Sequence, residues 1–190
     1  MKTDYVYDIS SFVSEFDFDL ILNEAENSEY KNVFFEGSYD KLVDETYDTD
    51  PDWFDKSNWQ VSPVKGGEAL RLSEKIANII NLDVDYLKPQ FLKLYKGEEL
   101  RWHVDKLVRV GINFVLKGAG TPVQFLDYPE PIYYDNAILN TSEMHCVPFI
   151  KDEDRILLKM RIPPLTENTP ISYDFKEIVE MLAEKGWDSV

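Results

Sequence analysis

Seven short apolar runs crowd residues 89–162, and nothing between them is long enough or periodic enough to form a helix. The runs are 91–95, 101–105, 108–116, 123–126, 137–140, 144–147 and 155–162, each rich in β-branched or aromatic side chains. Turn residues punctuate them: Lys96-Gly97, Gly118-Ala119-Gly120, Pro129 to Pro131 and Pro163-Pro164. Short strands so closely spaced predict an antiparallel sandwich or jelly roll. The last run alternates cleanly. Ile156, Leu158, Met160 and Ile162 share one face, and Arg155, Leu157, Lys159 and Arg161 share the other.

Helical periodicity lies outside this block. Residues 68–81 place Leu72, Ile76, Ile79 and Ile80 on one stripe. Residues 172–185 do the same with Phe175, Ile178, Val179 and Leu182, with Ser172 or Asp174 to cap the start and Gly186 to close the end. A shorter helix is expected over 18–27. The expected layout is one domain spanning 1–190: a helical or irregular acidic N-terminal part (1–88), a β core (89–165) and a C-terminal helix (172–186). The fold class expected is mainly β with flanking helices that cover one sheet of the core.

Charge narrows the partners. The chain holds 36 acidic and 20 basic side chains, a net charge of -16, and 16 of the acidic against 4 of the basic fall within residues 1–60. Such a surface repels phosphates and argues against nucleic acid or an anionic membrane as partner. The acidic N-terminal part reads as a solvated face, with a docking surface for a basic partner as the alternative. No apolar run approaches the ~18 residues of a membrane span, and the N-terminal segment lacks the apolar stretch of a secretory leader, so a cytoplasmic location is expected. A single cysteine, Cys146, excludes an internal disulfide and Cys-rich zinc sites. The oligomeric state stays open.

The chain has two histidines, His103 and His145. His103 sits in His103-Val104-Asp105, and in a strand residues two apart point the same way, so imidazole and carboxylate can hold one cation from one face. His145 lies in a later predicted strand. Two histidines and one carboxylate with open positions opposite them make the facial triad of non-haem iron(II) oxygenases. H-x-D is a weak signal in a chain this rich in aspartate. Its conjunction with a second strand-borne histidine, and with Arg155 ten positions beyond that, is strong.

Three segments now resemble a known family: "LYKGEELRWHVD", "RVGINFVLKG" and "ILNTSEMHCVPFIKDEDRILLKMRI". Together they look like the double-stranded β-helix (cupin-like jelly roll) of iron(II)- and 2-oxoglutarate-dependent oxygenases, in the prolyl hydroxylase-like or aspartyl/asparaginyl β-hydroxylase-like branch. The resemblance implies that His103, Asp105 and His145 bind Fe(II) and that Arg155 binds the distal carboxylate of 2-oxoglutarate. It also implies a reaction with dioxygen that releases succinate and CO2 and hydroxylates a substrate, with ascorbate as an accessory reductant. The substrate is a small molecule or an amino-acid side chain of a peptide or protein.

Arginine's planar fork suits a carboxylate bidentately, which fits the role given to Arg155; Arg161 is the reserve anchor. Lys159 and Arg161 otherwise read as a solvated face. Tyr95 is either a hydroxyl donor to 2-oxoglutarate, as in the prolyl hydroxylase-like pattern, or a barrel aromatic. Asn113 interrupts an apolar run and needs partners if buried, which makes it a candidate contact for co-substrate or substrate. Trp102 and Trp59 line a cleft or join the core. Cys146 points away from the metal by strand alternation and reads as a small buried residue. Two other functions remain open: a cupin-like metalloenzyme that does not use 2-oxoglutarate, and a non-enzymatic β-sandwich binding module with structural histidines.

Overall fold

The computed structural model describes residues 4–32, 60–105, 108–162 and 171–186. In chain order its elements are β1 (Val6–Asp8), α1 (Phe18–Glu26), β2 (Lys31–Asn32), β3 (Gln60–Pro63), α2 (Gly67–Ile79), α3 (Val84–Leu87) and β4 (Gln90–Leu94). There follow β5 (Leu100–His103), β6 (Val110–Lys117), β7 (Gln124–Phe125), β8 (Asn136–Leu139), β9 (His145–Val147), β10 (Arg155–Ile162) and α4 (Phe175–Gly186). The strands form a seven-stranded sheet, ordered β1-β8-β6-β10-β4-β3-β2, and a three-stranded sheet, β5-β9-β7. Every named pair is antiparallel. The result is the expected jelly roll, mainly β with helices against one face.

The two faces of the large sheet have different jobs. Ile112 and Phe114 of β6 and Ile156, Leu158, Met160 and Ile162 of β10 point outward and pack under the helices, against Ile21, Leu72, Ile76, Ile178 and Leu182. Each such fully buried side chain contributes about 1.5–3 kcal/mol by leaving water. The inner face meets the small sheet, with Leu92, Leu94 and Leu157 against Leu100 and Ile150. Burial on both faces explains why β6 reads as a nearly continuous apolar run.

The helix ends are closed by carboxylates. Asp17 accepts hydrogen bonds from the N–H groups of Asp19 and Leu20 at the start of α1. Asp174 and Glu177 form a reciprocal capping box at the start of α4, at 2.9 and 2.7 Å. The start of α2 has no side-chain cap of its own, since its N-cap is Gly66. Glu24 of α1 supplies one instead, accepting from the N–H groups of Glu68 and Ala69 at 2.7 and 3.1 Å. Gly67 sits at φ 76°, and a Cβ there would collide with the Glu24 carboxylate, so the cap across helices needs glycine.

Three expectations change. The N-terminal part is not only helical or irregular: β1 pairs with β8, and β3 pairs with β4 and β2. These short strands cover edges of the core sheet that would otherwise present unpaired backbone groups, and they are too short to carry a period. The run 101–105 stops pairing at His103, so Asp105 lies just beyond β5. The run 123–126 shrinks to Gln124–Phe125, with Val123 bridging Ile132. Trp59 and half of the 16 acidic side chains of residues 1–60 lie outside the described residues. Among the described residues no helix is long and apolar enough to cross a membrane.

Candidate metal centre

β5 and β9 are neighbours in the small sheet, and their register sets His103 directly opposite His145. The two ring centroids are 4.3 Å apart. Asp105 follows the end of β5, where its N–H donates to the carbonyl of Thr141 at 3.0 Å. Thr141 is itself buried, and its hydroxyl donates to the carbonyl of Val108. This backbone tie replaces strand alternation as the device that turns Asp105 toward the histidines. Its Oδ1 lies 3.5 Å from His103 Nε2. The ligand atoms of His103, Asp105 and His145 all lie within 4.8 Å of one another.

The His145 imidazole is held in one tautomer. Glu143's carbonyl oxygen lies 2.8 Å from His145 Nδ1, so that nitrogen carries the proton and Nε2 keeps its lone pair for a cation. Burial, followed by the neighbouring His103, pushes His145 down to about 4, which keeps it neutral. Burial would raise the Asp105 carboxyl, but the Lys159 ammonium, then the His103 hydrogen bond, outweigh it and hold the group well below the ordinary carboxylate range.

A cavity between the sheets runs from this group into the barrel, lined by His103, His145, Asn113, Tyr134, Arg155 and Lys159 with a wall of leucines and valines. Arg155 is fully buried at the first position of β10. A register shift between Ile156 and Leu157 in the pairing with β6 falls beside it. Gly118, at φ 76°, passes so close that a Cβ would stand 3.0 Å from the Arg155 Cα. The guanidinium lies over the Tyr134 ring at 5.3 Å. Its three nitrogens have no hydrogen-bond partner among the described residues. A buried guanidinium without an anion is unstable on its own terms, so this end of the cavity is built for a carboxylate or similar anion. Asn113 donates to the Tyr134 hydroxyl at 3.1 Å, while its buried Oδ1 has no partner.

His103, Asp105, His145, Arg155 and Asn113 are thus brought together. Tyr95 is not. Its hydroxyl donates to Gln60 at 2.8 Å and its ring lies under Lys93, away from the cavity. Tyr95, one residue past the end of β4, continues the outward parity of Phe91 and Lys93, opposite to that of Leu92 and Leu94, so alternation itself turns it away from the cavity. Trp102 is exposed and belongs neither to the core nor to the cavity. Cys146 is buried with its thiol near Gln124, and burial pushes that thiol up to about 11.

Lys159 is the correction with most consequence. Expected on a solvated face, it points inward with 11% of its side chain exposed and donates to Asp105 Oδ2 at 3.2 Å. The signal was present in the sequence: Lys159 shares its face of β10 with Arg155, so whatever turns one inward turns both. Arg161, on the same face, is also partly buried, and burial lowers its pKa. Tyr134 had no comparable signal, since it lies in an irregular segment.

No protein-family model matches the chain, and no curated protein matches it in sequence. Among solved structures it is similar to a truncated form of the viral collagen prolyl hydroxylase of Paramecium bursaria chlorella virus-1, at 14% identity and a TM-score of 0.52, over 86% of this chain and 91% of that one. HygX from Streptomyces hygroscopicus, solved with nickel, 2-oxoglutarate and hygromycin B, aligns at 12% identity over 73% of this chain and 84% of that one, with a TM-score of 0.41. An RmlC-like cupin from Shewanella frigidimarina aligns at 10% identity over 75% and 89%, with a TM-score of 0.40. At such identity the likeness to the viral hydroxylase is one of architecture: the two chains share a jelly-roll fold.

Proposed function

We propose that the protein is an iron(II)- and 2-oxoglutarate-dependent dioxygenase that hydroxylates a small molecule or a peptide side chain. The observation that carries this reading is the pairing, in one cavity, of a two-histidine, one-carboxylate group with a fully buried, unpartnered arginine. The donor set fits iron(II): two imidazoles and one carboxylate. The arginine fits the far carboxylate of a dicarboxylic keto acid whose other end reaches the metal. A cupin metalloenzyme that does not use 2-oxoglutarate has no use for Arg155 in that position, and a plain binding module has no use for the triad.

When bound, iron(II) and 2-oxoglutarate supply the oxidising chemistry, in which dioxygen is reduced as the keto acid loses CO2 to become succinate and the substrate gains a hydroxyl group. The chain's own residues do the rest. His103, Asp105 and His145 hold the metal. Glu143 fixes the His145 tautomer through its carbonyl. Arg155 would hold the far carboxylate of the co-substrate, and its burial excludes water that would compete for that contact. Asn113, tied to Tyr134, offers its free Oδ1 to a bound donor. Because Arg155 points into the cavity, Arg161 is not required as the anchor.

Anaerobic addition of Fe(II) and then 2-oxoglutarate tests the reading. The expected result is a visible charge-transfer absorption that needs both additions. Folded protein that gives no such band refutes it. If metal raises the melting temperature and 2-oxoglutarate adds nothing, the cupin alternative is preferred.

A further inference from the structure

The two oxygens of Asp105 serve different groups. Oδ1 faces His103 Nε2 at 3.5 Å, on the side where the three ligand atoms converge. Oδ2 accepts from Lys159 Nζ at 3.2 Å. Both side chains are nearly withdrawn from water, with 11% of Lys159 and 12% of Asp105 exposed. Lysine ordinarily keeps its ammonium in solvent, yet here it is held in mid-strand, between Gln90 of β4 and Asn113 of β6. A second cation beside the carboxylate of a divalent-metal site repels the metal, so the arrangement needs a reason.

We propose that Lys159 is a positioning residue that holds Asp105 to a single metal bond. In the metal-free protein the ammonium balances the buried carboxylate. With metal present it keeps Oδ2, leaving only Oδ1 to coordinate. A carboxylate that used both oxygens would take a position that the keto acid or dioxygen needs. Holding one oxygen back keeps that position open, and weaker metal binding accompanies it. This inference rests on the metal-centre reading above and adds a residue to it.

The test is titration of Co(II) into metal-free protein, read by visible d–d absorption, with the wild type, Lys159→Met, Lys159→Gln and Lys159→Arg compared. Lys159→Met should bind Co(II) roughly tenfold tighter or more, because a like charge is gone. Its absorption should change in shape and weaken, as a second carboxylate oxygen joins the metal. Without metal it should melt several degrees lower, because Asp105 loses the ammonium that balances its charge. Lys159→Gln keeps a hydrogen-bond donor without the charge, so it should bind more tightly with the wild-type spectrum. Lys159→Arg should restore both affinity and spectrum. A Lys159→Met spectrum equal to that of the wild type would overturn the proposal whatever the affinity, as would equal Co(II) affinity in the wild type, Lys159→Met and Lys159→Gln. If Lys159→Met does not fold, Lys159→Gln with wild-type affinity overturns it equally. Wild-type protein that takes up no Co(II) overturns the metal-centre reading itself, and this inference with it.

Discussion

Replacing Arg155 with methionine removes a charge from the barrel while nearly conserving volume. In the free protein the guanidinium is fully buried, and its three nitrogens have no hydrogen-bond partner among the described residues. An uncompensated buried charge costs several kcal/mol, and loss of the desolvated contact with the Tyr134 ring offsets only about 2 kcal/mol of that. Arg155→Met should therefore stabilise the free protein by about 2 kcal/mol or more. For a chain of this size that is a rise in melting temperature of roughly 4–8 °C. The effect on 2-oxoglutarate has the opposite sign. Two charge-assisted hydrogen bonds, at about 1.5–3 kcal/mol each, weaken binding by about 10²–10⁴-fold when lost. Thermal melts with Mn(II) present, with and without 2-oxoglutarate, read both effects at once. The wild type should melt lower and rise with 2-oxoglutarate; the variant should melt higher and not respond. A variant that melts below the wild type and still responds refutes the reasoning, because Arg155 would then be a structural group with a partner of its own.

Other outcomes follow from the same structure. His145→Ala should abolish metal binding by isothermal titration, since it removes the most buried ligand of the three. The pH dependence has a defined sign: His145 falls from 6.5 to about 4 on folding, so between those values the unfolded chain binds a proton that the folded chain refuses. Stability from this group should be complete above about 6.5 and lost on acidification toward 4, by on the order of 3 kcal/mol. Asp105, lowered from 3.8, contributes stability that is lost only at still lower pH. Urea midpoints at pH 7 and 4.5 should show a smaller drop in His145→Gln than in the wild type. Gly67→Ala should cost about 1–3 kcal/mol, combining a strained positive φ with displacement of the Glu24 cap, and Glu24→Ala should cost about 1–2 kcal/mol; differential scanning calorimetry of both checks this. Leu158→Ala, at the fully buried centre of β10, should cost about 2–5 kcal/mol.

Much of the β core was legible because its signals are local. The run 155–162 became β10 residue for residue, since strict alternation under a helical layer leaves it no other conformation. The stripe from Leu72 to Ile80 likewise marked the helix that covers that strand. The N-terminal strands were not legible: Val6–Asp8 has three residues and gains its conformation from the edge of β8. Glu24 capping α2 across 44 residues is similarly invisible to any local pattern. Tyr95 was misjudged because nearness to a motif does not say which face of β4 turns inward; it shares the outward parity of Phe91 and Lys93.

By itself, the sequence determined which groups are available and on which strands they ride. Two histidines, an aspartate two residues beyond the first and an arginine ten beyond the second are facts of order along the chain, and alternation sorts them onto faces. Tertiary structure decided which faces meet and what each charge finds there. Asp105 left its strand and was turned back by the carbonyl of Thr141. Lys159 and Arg155, on one face of one strand, met opposite fates, the first paired with a carboxylate and the second left without one. The reason is physical. Backbone periodicity is set within a few residues, whereas the stability of a buried charge depends on groups that only the closed barrel brings within hydrogen-bond reach.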